Sequence, residues 1–216
     1  MKIAYVHDWL VFPGGAEKVF FDIIKATSNK VKIENYSQQW QEFINDMEKE
    51  WIYNQKNEYK IFTTFHKSDF TNPTNIEIES VLSWKNIDKY FRNLMPFFPV
   101  ITKLLSQKIK KYDPDLIIIS SFAIAKNINI SKPKVLYLHS VMQYIWTLYE
   151  DYLNKFSGIK KQIFRFSSKY LRKYDKKYTK FEKIYFNSNY TKKEFEKIYK
   201  QKTEWKILFA IVSAKK

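Results

Sequence analysis

The sequence of 216 residues contains no cysteine and only three histidines. Without cysteine, the chain has no disulfide bond, no thiol nucleophile and no thiolate metal site. The histidines, His7, His66 and His139, do not form the closely spaced pair that zinc sites commonly use. We therefore predict no zinc site.

The sequence also lacks a long apolar run. No segment approaches the roughly 20 residues that a membrane-spanning helix needs. The short apolar run after Lys2 is interrupted by His7 and Asp8, which is not the pattern of a signal peptide. These features predict a cytoplasmic protein, and the length suits one large domain or one half of a two-domain enzyme.

Acidic residues are scarce relative to basic ones. The chain carries 38 Lys or Arg against 22 Asp or Glu, which gives a formal net charge of +16. The excess is uneven, because eleven Lys or Arg between residues 155 and 183 stand against two acids, Asp175 and Glu182. This distribution predicts a local basic surface suited to anionic lipid head groups or to nucleic acid.

The chain begins with the pattern of a strand, a glycine turn and a helix. Residues 2–6 predict a buried strand, and residues 7–13 predict a loop that ends at Gly14 and Gly15. From Ala16 onward, apolar residues recur at helical spacing. Glycines let the backbone approach a ligand closely, and the free N–H groups of a new helix favour a phosphate. The same glycines are equally consistent with a simple turn into the helix.

Strands and helices alternate along the rest of the chain. The predicted strands cover residues 31–36, 59–65, 116–120, 135–139, 183–186 and 205–209. The predicted helices cover residues 38–51, 97–110, 160–178 and 191–199. Residues 66–84 predict a loop with one short extended piece at 76–82. This alternation predicts an α/β fold with a doubly wound parallel sheet of Rossmann type.

The longest predicted helix, residues 160–178, combines an apolar stripe with many lysines. The stripe consists of Ile163, Phe166, Tyr170, Tyr174 and Tyr178. We predict that the stripe packs into the core. Two interpretations of the lysines remain open: an ordinary solvated helix face, or a peripheral membrane site where lysine and aromatic side chains meet anionic lipid.

Doubly wound sheets bind ligands beyond the carboxyl ends of their strands. Three pairs of residues follow predicted strands in this way: Gly14 and Gly15, His139 and Ser140, and Asn187 and Ser188. We expect these pairs to share one edge of the sheet. An ordinary hydrogen-bonded histidine is the alternative for His139.

Five segments carry a resemblance to a known family. They are VHDWLVFPGGAEKV (6–19), KYFRNLMPFFPV (89–100), YDPDLIIISSFAIAKNI (112–128), YLHSVMQYIWTLYEDYL (137–153) and IYFNSNYTKKEFEKIY (184–199). In the same order, they are similar to segments of the N-terminal domain of family 4 glycosyltransferases, retaining enzymes of GT-B fold. The similarity is strongest to mannosyltransferase-like members of O-antigen and capsule pathways. It implies that residues 1–203 form the acceptor-side, Rossmann-like domain of such an enzyme.

The resemblance also implies roles for the matched positions. Gly14 and Gly15 would lie against the diphosphate and the transferred sugar of the donor. His139 would be the catalytic-site histidine that contacts the donor sugar near the reacting carbon. The other matched residues would line the acceptor side of the cleft: Asp8, Trp9, Tyr144, Trp146, Asn187 and Ser188.

The implied activity is transfer of a hexose, such as mannose, from a GDP- or UDP-sugar to a lipid-linked or saccharide acceptor in surface polysaccharide synthesis. It implies a place at the inner face of the cell membrane and requires no metal, because helix N-termini and basic groups stabilise the leaving diphosphate. In the family, a second domain binds the nucleotide. Residues 204–216 resemble a terminal strand and a truncated tail, so the resemblance implies that the donor-binding domain is absent and that the chain is inactive alone.

Two alternatives to this function remain open. The chain could be one subunit of a split glycosyltransferase whose donor-binding domain is separately encoded. It could instead be a basic, non-enzymatic protein that binds membranes or nucleic acid, although the sequence contains no recognised nucleic-acid-binding motif.

Overall fold

The fold is built on a sheet of seven parallel strands in the order β3-β2-β1-β4-β5-β6-β7. This computed structural model describes residues 1–28, 37–52, 56–177, 180–200 and 205–210. The strands are β1 (Lys2–Leu10), β2 (Glu58–His66), β3 (Ile78–Ser83), β4 (Leu116–Ser121), β5 (Lys134–Leu138), β6 (Lys183–Phe186) and β7 (Trp205–Ile207). The predicted doubly wound parallel sheet is confirmed.

Helices cover both faces of the sheet. The described α-helices are α1 (Gly15–Ser28), α2 (Gln38–Met47), α3 (Ile87–Tyr90), α4 (Phe98–Tyr112), α5 (Tyr149–Asn154), α6 (Gly158–Asp175) and α7 (Asn189–Tyr199). A π-helical turn, Glu48–Ile52, follows α2, and two 3-10 helices cover Phe91–Phe97 and Ala125–Asn127. In the part of the chain that the structure describes, no helix is both long and apolar enough to cross a bilayer.

The alternation of side chains along β1 separates two apolar cores. Ile3 and Tyr5 pack with residues of α1 and α2 on one face of the sheet. Ala4 and Val6 pack with residues of α4 and α7 on the other face. Successive side chains of a strand point to opposite faces, so a strand covered on both sides is apolar at nearly every position.

The strand order reverses its direction between β1 and β4. The chain adds β2 and β3 on one side of β1, and then crosses to add β4 to β7 on the other side. Such a switch point leaves a crevice at the carboxyl ends of the two central strands, which is where open α/β sheets bind ligands. The connections that follow β1, β4, β5 and β6 therefore define the edge on which a site is expected.

The structure corrects several predicted boundaries. β1 continues to Leu10, so the predicted loop at residues 7–13 is wrong over its first half. The extended piece at 76–82 is an edge strand, β3, which pairs with β2. The predicted strand at 31–36 and Tyr178 lie outside the described residues.

The stripe of α6 is the largest correction. The helix buries Phe164, Ser167, Ser168, Leu171 and Asp175, not the predicted stripe. Ile163, Phe166 and Tyr170 are at least half exposed. Helical periodicity predicted that this helix has two different faces, but it did not predict which face packs against the rest of the protein.

Lys200 provides a test of local backbone strain. It ends α7 with a φ of 53°, in the left-handed region that costs residues with a Cβ about 1 kcal/mol. We predict that Lys200→Gly raises the free energy of unfolding by roughly 0.5 kcal/mol, since the change relieves this strain. Lys193→Gly, in the exposed middle of the same helix, should lower it by about 1 kcal/mol. Urea unfolding measures both changes, and the same sign for both would contradict this interpretation.

Candidate functional site

The two glycines before α1 have different surroundings. A Cβ on Gly14 would lie 2.5 Å from Oε2 of Glu17, so a larger residue there would displace the end of the buried Glu17 side chain. A Cβ on Gly15 would meet no atom of the described residues within 4 Å. Gly15 begins a helix of 14 residues, and it is exposed. The open space at the N-terminus of α1 therefore lies over Gly15.

The carboxylate of Glu17 lies near both this turn and a buried histidine, His7. His7 on β1 is fully buried, and its Nδ1 donates a hydrogen bond to the carbonyl oxygen of Ser120 (2.9 Å). Its Nε2 has no hydrogen-bond partner in the part of the chain that the structure describes, and it lies 3.9 Å from Oε1 of Glu17. The ring stacks on Phe20, with the centroids 4.6 Å apart. Because Nδ1 donates to Ser120, Nε2 is the ring nitrogen that faces the carboxylate of Glu17.

His139 continues the same row of polar groups. Its Nε2 lies 2.8 Å from Oγ of Ser120, and its ring centroid lies 6.2 Å from that of His7. Burial of the ring, with a smaller effect from His7, lowers the pKa of His139 to about 3. His139 is therefore neutral at physiological pH, although part of the residue remains accessible.

Asn187 and Ser188 join this row through the start of α7. Ser188 is the N-cap, and its Oγ accepts a hydrogen bond from the N–H of Thr191 (3.2 Å). The hydroxyl of Thr191 lies 3.2 Å from the carbonyl oxygen of His139 and 2.7 Å from Oδ1 of Asn187. The structure thus brings the three predicted pairs together along the carboxyl ends of β1, β5 and β6.

The sequence predicts that Asp8 lies in a loop, but in the structure this residue lies inside the protein. It is fully buried at the carboxyl end of β1. Its two carboxylate oxygens accept hydrogen bonds from Oγ of Ser121 (3.0 Å) and from four consecutive backbone N–H groups, those of residues 122–125 (2.6–2.9 Å). Both oxygens are occupied, so Asp8 positions the loop after β4.

Trp9 is also buried, with 8% of its surface exposed. Its ring packs against Phe65, Phe91 and Phe122, at centroid distances of 4.8–6.4 Å. The prediction that the first loop presents Asp8 and Trp9 is wrong in its placement, since the strand continues through both residues. The signal was present in the sequence: an aspartate inside an apolar strand must find buried donors.

Trp146 contacts a buried charge cluster. Its Nε1 donates to Oδ2 of Asp175 (2.8 Å), and Asp175 forms a fully buried ion pair with Lys126. The hydroxyl of Tyr199 also donates to Asp175, and Nδ2 of Asn127 donates to its backbone oxygen (2.9 Å). These contacts anchor α6 to the loop after β4, and sequence reasoning missed Lys126 and Asp175.

Tyr144 is influenced by both buried carboxylates, those of Asp8 and Asp175. Its hydroxyl is buried and has no hydrogen-bond partner among the described residues, while its ring packs near Phe98 and Tyr152. Burial raises the pKa of Tyr144 well above its usual value, and the charges of Asp8 and Asp175 raise it further. A buried hydroxyl without a partner can still accept a hydrogen bond from a ligand at this position.

No protein-family model matches the chain, and no curated protein matches it. Within residues 1–28, 37–52, 56–177, 180–200 and 205–210, no three His, Asp or Glu side chains are grouped as a metal site requires. The row Glu17–His7–Ser120–His139, next to Asn187, is therefore the candidate site on geometry alone.

Substitution of Asp8 tests how strongly the stability of the protein depends on this one buried carboxylate. In Asp8→Asn, one oxygen becomes an NH₂ group that faces N–H donors, so buried hydrogen bonds are lost. We predict that the free energy of unfolding falls by on the order of 3 kcal/mol. The control is Asp22→Asn, which removes an ion pair with Lys18 on the surface and should change stability by less than about 0.5 kcal/mol. Equal effects of the two substitutions in chemical unfolding would contradict the role assigned to Asp8.

The lowered pKa of His139 predicts a specific pH dependence of the free energy of unfolding. Its pKa is lower in the folded state than the ordinary 6.5, so the unfolded state binds more protons between these values. The free energy of unfolding should therefore fall as pH decreases below about 6.5, by up to roughly 1.4 kcal/mol per pH unit. His139→Gln removes the titrating group and should flatten this dependence.

The useful window lies between about pH 6.5 and pH 4.5, above the range in which the carboxylates lose their charge. His66→Gln is the matched control, because burial also lowers the pKa of His66, but to a smaller extent. Thermal unfolding at each pH measures the slopes. An unchanged slope in His139→Gln would contradict a buried, neutral His139.

Proposed function

We propose that the chain is the acceptor-side half of a retaining glycosyltransferase. It would form one wall of a site that moves a hexose from a GDP- or UDP-sugar to a lipid-linked or saccharide acceptor. The observation that carries the proposal is the row of contacts from the N-terminus of α1 to neutral His139, at the switch point of the sheet. The five sequence segments that resemble family 4 glycosyltransferases support it.

The N-terminus of α1 suits the leaving group of such a reaction. Glycosyl transfer develops positive charge on the sugar and negative charge on the departing diphosphate. The first N–H groups of a helix stabilise an anion without a metal. The carboxylate of Glu17 lies against Gly14 and would repel a phosphate there, so we place the phosphate over Gly15, where the space is open.

His139 suits contact with the sugar because it is neutral. Its low pKa means that it adds no positive charge next to a developing oxocarbenium ion. A neutral imidazole can still donate or accept a hydrogen bond with a sugar hydroxyl. No protein nucleophile is needed if an oxygen of the donor phosphate accepts the proton of the acceptor on the same face of the sugar.

In this proposal, residues that follow β5 in the chain form the acceptor side of the site. Tyr144 contributes a buried hydroxyl without a protein partner, and Asn187 and Ser188 border His139. Trp146 gives its N–H to Asp175, and Arg172 and Lys176 lie over its ring, so it shapes the cleft from within the protein. Asp8 and Trp9 act indirectly, by shaping the loops around them.

Binding of nucleotide-sugars tests the proposal. We predict weak, saturable binding of a GDP- or UDP-sugar, measured by ligand-observed NMR. Gly15→Val fills the open space, and His139→Gln changes the contact with the sugar, so each should weaken binding at least about fivefold. Little sugar transfer is expected from the chain alone, since the described residues supply one wall of the site.

The control is Ser37→Val, a similar substitution at the N-terminus of α2, where the side chain makes no cap hydrogen bond within the described residues. It should leave binding unchanged. The proposal fails if no nucleotide-sugar binds saturably, or if Gly15→Val and Ser37→Val bind it equally well. Robust transfer by the chain alone would contradict the assignment of this chain to one half of the site.

A further inference from the structure

An apolar stripe runs along the outer face of α6. It consists of Ile159, Ile163, Phe166 and Tyr170, which are 75%, 51%, 77% and 51% exposed. These residues, called here the α6 stripe, follow one another at intervals of four, three and four positions, so they align on one side of the helix. Four large apolar side chains in a row are not scattered surface residues but a continuous feature that a partner could cover.

The α6 stripe is held rigidly in this exposed position. The opposite side of the helix buries Phe164 and Leu171, and Asp175 at its end is paired with Lys126 inside the protein. Arg172 adds a hydrogen bond from its Nε to the carbonyl oxygen of Ile145 (2.6 Å). Turning the stripe inward would break this buried ion pair, so the exposure is part of the fold.

Positive charge borders the stripe. Eight Lys or Arg lie between residues 158 and 177, and Asp175, the one acid in this range, is buried. At roughly 100° per residue, Lys169 and Lys173 lie beside Phe166 on the helix surface. The exposed face of α6 is therefore apolar along its centre and basic along its side, with no acid on it.

The elements that α6 contacts carry further exposed apolar residues. The helix packs against α4 and the 3-10 helix Phe91–Phe97. Phe97, Val100 and Leu104 in this neighbouring region are 58%, 56% and 43% exposed. Exposed apolar residues are thus not confined to α6 in this part of the fold.

We propose that the α6 stripe inserts into the interface of an anionic lipid membrane. The apolar side chains would enter the boundary between head groups and acyl chains, and the flanking lysines would bind the anionic head groups. A second copy of the chain would bring two basic surfaces together, which charge repulsion opposes. Nucleic acid would match the lysines, but it offers nothing to Ile159 and Ile163. This inference does not depend on the proposed glycosyl transfer.

Sedimentation with lipid vesicles tests the membrane site. We expect the full chain to sediment at low salt with vesicles that contain phosphatidylglycerol, and to sediment much less with phosphatidylcholine alone. Ile163→Ser combined with Phe166→Ser should weaken binding at least about tenfold, since both side chains are exposed and contribute apolar contact. The control combines Tyr190→Ser and Phe209→Ser, which are 65% and 50% exposed and lie elsewhere; it should bind as the unmodified chain does.

A second pair of variants separates charge from insertion. Lys169→Gln combined with Lys173→Gln should weaken binding about fivefold and reduce its dependence on salt. Lys85→Gln combined with Lys193→Gln removes the same charge from other exposed positions and should have a smaller effect. Circular dichroism and thermal unfolding confirm that each variant remains folded.

The absence of cysteine allows a direct test of depth. Phe166→Cys and Tyr190→Cys each create a single thiol for an environment-sensitive fluorophore. Anionic vesicles should shift the emission of the label at 166 to the blue and leave the label at 190 unchanged. Equal responses at the two positions would overturn insertion of the stripe.

Three other results would overturn the proposal. The first is no sedimentation with anionic vesicles at low salt. The second is unchanged vesicle binding of the double variant Ile163→Ser, Phe166→Ser, because charge alone would then account for the binding. The third is a dimer, or binding of a single-stranded oligonucleotide, that this double variant abolishes while vesicle binding persists.

Discussion

The carboxylate of Asp8 is the interaction on which the candidate site depends. It lies at the carboxyl end of β1, where the strand order reverses, and it accepts one hydrogen bond from Ser121 at the end of β4 and four from the loop that follows. A buried carboxylate is costly unless each oxygen is paired, and here four backbone N–H groups provide most of the pairing. The loop is thereby fixed between β1 and β5, with Ser120 between the two histidines.

A second buried charge, on Asp175, determines which side of α6 faces the protein. Its pairing with Lys126, Trp146 and Tyr199 holds the end of the helix against the sheet. One consequence is that Trp146 and Lys126, which lie beyond the carboxyl edge, are tied to α6. The other is the exposure of the α6 stripe, because a helix with one side tied inward must present the opposite side to its surroundings.

The candidate site and the α6 stripe are two surfaces of different chemical character. The edge near His139 has neutral or internally paired polar groups and an open helix N-terminus, which suit a sugar and its phosphate. The stripe has apolar side chains bordered by lysine, which suit a lipid surface. An acceptor carried on a lipid would meet both surfaces, which makes the two proposals compatible although each is tested separately.

Local sequence patterns were sufficient for the parallel sheet, the Gly14-Gly15 turn and the grouping of His139 with Asn187 and Ser188, because apolar runs and strand ends are local features. They were not sufficient for Asp8, which was expected in a loop, or for Ile163, Phe166 and Tyr170 of the α6 stripe, which were expected in the core. The partners of Asp8 lie more than 110 positions away, and the pair Lys126–Asp175 spans 49 positions. Periodicity shows that a helix has two faces, but only the tertiary structure decides which face is buried, since that depends on where distant charges find their partners.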